Sequence, residues 1–122
     1  MISNDTFNFI NTDRYSGALQ QGITFLTSCY VFESCSDLPN DLTGYLPKFG
    51  IQETFGSPGY IAECTIANGR AELLPDRGII NFQISATDTA ELPVGMWVYE
   101  ITIASSEGIV YRLAFGQFEI TP

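Results

Sequence analysis

The chain has 122 residues, with 14 Asp and Glu against 5 Lys and Arg, no His, and 45% hydrophobic residues. A net charge of −9 argues against nucleic acid as a partner, because that binding draws on Lys and Arg to neutralise phosphates, and against an anionic membrane surface. The lack of His removes Ser-His-Asp and Cys-His catalysis, His-ligated metals and imidazole acid–base chemistry together.

A chain of this length buries roughly two-thirds of its unfolded surface, enough for one core without staples. One domain is expected, with residues 1–14 as an N-terminal arm and 15–122 as the folded body. No run approaches the ~18 apolar residues of a spanning helix. The start, MISNDTFNFINTD, has neither the basic nor the apolar region of a signal peptide. Cys29, Cys35 and Cys64 cannot all pair within the chain and match no zinc spacing, so they read as thiols in a reducing compartment.

Short runs of Val, Ile, Thr and aromatics, cut by Gly, Pro, Asn and Asp, predict seven or eight antiparallel strands. Ile23, Phe25, Thr27, Cys29 and Val31 turn to one face of the first main strand. Cys35 to Asn40 is a turn-rich connection. In the next strand Tyr45, Phe49 and Ile51 oppose Lys48 and Gln52, and Pro47 suggests an edge position or an irregular start. Asn68-Gly69 predicts a type I′ hairpin joining 60–67 to 70–74.

Pro75-Asp76-Arg77-Gly78 is a turn, and Ile80, Phe82 and Ile84 then alternate with Asn81 and Gln83. Residues 85–92 break the alternation. Asp88 and Glu91 resemble a capping box on one helical turn that Pro93 ends, read as a crossover between sheets. Trp97, Tyr99, Ile101 and Ile103 share a face that should be the heart of the core. In the last strand Ile109, Tyr111, Leu113 and Phe115 share one parity while Phe118 and Ile120 take the other, so a bulge or bend is expected at Gly116. The fold class is an all-β, immunoglobulin-like antiparallel β-sandwich with one short helical turn near 86–92.

Chemistry has little to stand on. Paired carboxylates could serve a hydrolase only if two converge with separated pKa values. Asp37, Asn40 and Asp41 offer oxygen ligands of the kind calcium uses, but without EF-hand spacing, and such residues also cap turns. Gly56-Ser57-Pro58-Gly59 matches no phosphate loop. No catalytic, cofactor-binding or metal residue is assigned, and no cofactor is expected. Six Tyr and nine Phe are many for a core of this size, so some are expected on a surface that meets another protein.

Several stretches together resemble a family of small bacteriophage virion proteins, the immunoglobulin-like domains related to the N-terminal domain of upper baseplate proteins in tailed phages. The landmarks are Tyr15-Ser16-Gly17, Asp41-Leu42-Thr43-Gly44-Tyr45, residues 85–93 (SATDTAELP), Gly95 to Glu100 (GMWVYE), Gly108 to Leu113 (GIVYRL), Gly116 and Ile120-Thr121-Pro122. Gln52 and Glu53 stand where that family usually carries basic residues.

The resemblance implies a non-enzymatic virion protein assembled in the host cytoplasm in several copies. It would be a tail or baseplate component docking neighbouring tail or fibre proteins, as a homo- or hetero-oligomer. Alternatives are a capsid decoration or cement protein and a host-glycan-binding module. Contacts would run through sheet edges and aromatic patches.

Overall fold

The protein, described here from a computed structural model covering residues 8–10, 17–32 and 41–122, folds into two packed sheets. The elements are β1 (Asn8–Ile10), β2 (Ala18–Gln20), β3 (Phe25–Phe32), β4 (Leu46–Gln52), β5 (Ala62–Thr65), β6 (Ala71–Leu74), β7 (Ile79–Ile84), α1 (Ala86–Thr89), β8 (Gly95–Ala104) and β9 (Val110–Thr121). One sheet has the order β1-β3-β7-β6 and the other β2-β9-β8-β4-β5. Neighbours are antiparallel except β2, which runs parallel to the end of β9. This is the immunoglobulin-like order, with the first strand divided between the two sheets.

Alternation builds the interior. Phe25, Thr27, Cys29 and Val31 of β3 and Ile80, Phe82 and Ile84 of β7 are buried from one side. Phe49 and Ile51 of β4, Ile101 and Ile103 of β8, and Phe118 and Ile120 of β9 close on them from the other. Phe49 is the hub: its ring centroid lies 5.6 Å from Phe25, 5.6 Å from Phe82, 5.8 Å from Phe118 and 5.9 Å from Tyr99. Antibody domains place an inter-sheet disulfide and a Trp at this position. Here Cys29 is a buried thiol and the aromatic cluster holds the sheets together.

The corner after β7 is locked by side chains. Ser85 caps α1 by accepting from the Asp88 amide. Thr89, fully buried, accepts from Gly22 N at 3.1 Å and donates to Ile23 O at 3.0 Å. Gln21 Nε2 donates to Leu92 O at 2.6 Å. These bonds fix the crossover against the turn that precedes β3.

The structure corrects several expectations. Asn68-Gly69 does form a turn, but β5 pairs with β4 and β6 with β7, so the turn carries the chain from one sheet to the other and closes no hairpin. Pro47 lies in an interior strand between β8 and β5 and not at an edge; of the two expectations the irregular start holds, since pairing with β5 begins one residue later at Lys48. The cap of α1 is Ser85 and not Asp88, whose carboxylate is engaged by Arg70. Ile23 precedes β3 and is exposed.

Trp97 packs against the rim of the core half-buried, so the heart of the core is Phe49. The irregularity of β9 falls at Leu113, where Ile101 pairs with Ala114 and Thr102 with Arg112. Phe115 therefore faces outward. Nine strands form among the described residues. Asn8–Ile10, inside the expected arm, pairs with β3; the rest of residues 1–14, and Cys35, Asp37 and Asn40, lie outside the described residues.

Candidate functional site: the outer face of the five-stranded sheet

Period-two alternation sends every second residue of β4, β8 and β9 away from the core, and register lines them up in rows. Val110, Ala104 and Leu46 form one row across β9, β8 and β4. Arg112, Thr102, Lys48 and, on β5, Thr65 form the next. Phe115, Glu100, Gly50 and Glu63 form the third. A row with two cations thus adjoins a row with two carboxylates.

The loop between β4 and β5 folds back over this face. Phe55 meets Phe115 edge-on with centroids 5.7 Å apart, and the Arg112 guanidinium lies 4.8 Å from the Phe115 centroid and 5.7 Å from that of Phe55. Arg112 also pairs with Glu100 at 2.6 Å. Tyr60 lies over Gly50, and Lys48 Nζ is 4.6 Å from the Tyr60 centroid and 4.0 Å from Glu63. Gln52 is buried beneath the loop and donates to Ser57 O at 3.1 Å.

Large apolar side chains remain open to solvent around this cluster: Phe115 is 57% exposed, Met96 58% and Phe55 45%, with Leu46 and Val110 more open still. Aromatics and Arg on one exposed face are the residues that protein interfaces favour. The outer face of the other sheet carries the exposed Leu26 beside a polar row in which Ser28 Oγ donates to Asn81 Oδ1 at 2.6 Å and Asn81 Nδ2 to Glu72 Oε1 at 3.1 Å.

One edge expected to accept a partner strand is already filled. Asn68 Nδ2 and Arg70 Nη1 both donate to Glu63 O, and Asn68 Oδ1 accepts from Thr65 N. The backbone of β5 that faces away from β4 is thereby occupied by the chain's own side chains.

No group of three or more His, Cys, Asp or Glu among the described residues could hold a metal ion. Cys64 is buried, and burial pushes its thiol up to about 12, away from the thiolate a soft metal needs. Asp41 accepts from the Thr43 hydroxyl at 2.6 Å and amide at 3.0 Å, which hold its carboxyl below the usual range. The Arg70 hydrogen bond does the same for Asp88. Both stay anionic, whereas a general acid needs a raised carboxyl.

No family model matches the chain, and no curated protein matches it. Among solved structures the chain is similar to the crystal structure of CopC from Methylosinus trichosporium OB3b, at 14% identity and a TM-score of 0.48, over 95% of this chain and 94% of that one. That likeness carries no argument about what this chain binds. The comparisons give the virion reading no support, and the tail, baseplate, decoration and glycan-binding roles are withdrawn. Residues 85–93 make the locked corner and Gly95 to Glu100 supply half of β8.

Proposed function

We propose that this chain is a non-catalytic interaction domain that docks another protein through the outer face of its five-stranded sheet. The observation that carries the reading is the cluster of Phe55, Phe115 and Arg112, which stays exposed although the rings already touch one another. Burying apolar surface yields about 25 cal/mol per Å², so two half-exposed Phe rings are a standing incentive for association. They are rigid anchors that lose little side-chain entropy on docking.

The test is the size of the complex in extracts of the source cell, for the full chain and for the Phe55→Ser/Phe115→Ser variant. The wild type should migrate well above 13.4 kDa and the variant at its monomer size. A wild type that migrates at monomer size, or a variant that stays in the same complex, would refute the reading.

A further inference from the structure

We infer that Asn68 is a site of spontaneous covalent modification, an amide that the fold keeps from reacting with the chain's own backbone. No other Asn in the chain is followed by Gly. Glycine has no side chain to keep its nitrogen from the preceding carboxamide, and its backbone turns freely enough to present that nitrogen. In an open turn the Gly69 nitrogen attacks Asn68 Cγ. The N–Cγ bond forms, the Cγ–Nδ2 bond breaks, and ammonia leaves with the proton that Gly69 gives up. Water then opens the resulting ring, to Asp if it cuts the new bond and to isoaspartate if it cuts the original peptide bond.

The folded chain ties down both reactants. The Gly69 N–H, whose proton has to go, donates to Ile66 O at 3.1 Å. Asn68 Nδ2, the leaving group, donates to Glu63 O at 2.8 Å, and Oδ1 accepts from Thr65 N and Arg70 N, each at 3.0 Å. Asn68 N donates to Thr65 Oγ1 at 3.1 Å. Closing the ring draws the carboxamide to Gly69, away from the three groups that hold it. Asn68 and Gly69 are both exposed, so water reaches the site and burial adds nothing to the protection. The bonds alone protect, and only while the turn stays closed.

Either product lacks the Nδ2 donor, which leaves Glu63 O with Arg70 Nη1 of the pair that covers it. Isoaspartate also lengthens the main chain by one carbon inside the turn. Each opening of the turn thus risks a one-way loss of the cover over the β5 edge.

The experiment follows the amide in the purified full chain at mildly alkaline pH, folded and in urea. Trypsin releases residues 49–70 as a fragment whose sole asparagine is Asn68, and mass spectrometry reads the exchange of amide for acid. Asn68 should convert in urea, and at least about tenfold more slowly in the folded chain. Thr65→Val removes the hydroxyl that the Asn68 N–H reaches. Folded, it should age about two- to tenfold faster than the wild type, the factor that one lost hydrogen bond gives. Hydrogen exchange at the Gly69 amide should quicken by the same factor, because both report the same opening.

Equal rates in the folded and unfolded wild type would overturn the inference, and so would an Asn68 that stays an amide in urea. That comparison needs no variant. A Thr65→Val chain that ages at the wild-type rate, or ages faster with Gly69 exchange unchanged, would show that the bonds of the turn are not the protection.

Discussion

Tyr60 lies across Gly50 at the centre of the five-stranded sheet, so close that a Cβ on Gly50 would stand 2.5 Å from the Tyr60 Cε1. A glycine inside a strand weakens it unless something uses the space, and here a ring from the loop fills it. Gly50→Ala must expel that ring. The cost should be about 1 to 3 kcal/mol, typical of overpacking. In Tyr60→Ala the added methyl no longer meets the ring, so Gly50→Ala should cost far less in that background. A double-mutant cycle by chemical denaturation checks the coupling, and additive effects would show that the ring does not rest on Gly50.

The position of Phe49 predicts which aromatic matters most to stability. It is fully buried against four other rings, whereas Trp97 is half-buried and donates its indole N–H to Pro93 O at 3.1 Å. Phe49→Ala should cost about 3 to 5 kcal/mol. Trp97→Ala should cost clearly less, about 1 to 2 kcal/mol, because less of its surface leaves water on folding. Urea unfolding of both variants decides it, and a larger loss for Trp97→Ala would place the core elsewhere.

Acid should probe the corner through Asp88. The Arg70 hydrogen bond at 2.7 Å lowers the Asp88 pKa from its ordinary value of 3.8. A carboxyl depressed in the folded state contributes stability above its unfolded pKa, and that contribution is lost as pH falls through the folded value. The wild type should therefore lose stability below about pH 4 more steeply than Arg70→Met does. Thermal melts from about pH 2 to 6 measure the two slopes. Parallel profiles would mean that the pair contributes nothing, which exposed ion pairs often do not.

Much of this fold can be read from residue alternation. The burial of Phe25, Thr27, Cys29 and Val31, and of Ile80, Phe82 and Ile84, follows from period-two spacing. So does the extent of β8, from Gly95 to Ala104. What escapes alternation is partnership. Asn68-Gly69 specifies a tight turn, but nothing local tells whether the flanking strands then pair or part into different sheets.

The site was half legible. An excess of aromatics pointed to an exposed patch, but Phe115 shared the parity of core residues, and only the extra residue at Leu113 turns it outward. A bulge shifts phase without a unique sequence mark, and Gly116 was the more obvious suspect. Gly116 instead lies opposite Tyr99, where a Cβ would meet Tyr99 Cε1 at 3.1 Å. Gly50 carried the clearest signal for the site, as a glycine inside an otherwise regular strand pattern.

The central claim is that one face of the molecule is covered in the assembled state, and hydroxyl-radical footprinting read by mass spectrometry tests it most directly. Met96, Phe55 and Phe115 report on the five-stranded face, and Leu26, 67% exposed, reports on the opposite sheet. The account predicts that labelling of Met96, Phe55 and Phe115 falls in the complex relative to the dissociated chain while that of Leu26 is unchanged. Protection of Leu26 with full labelling of Phe115 would contradict it.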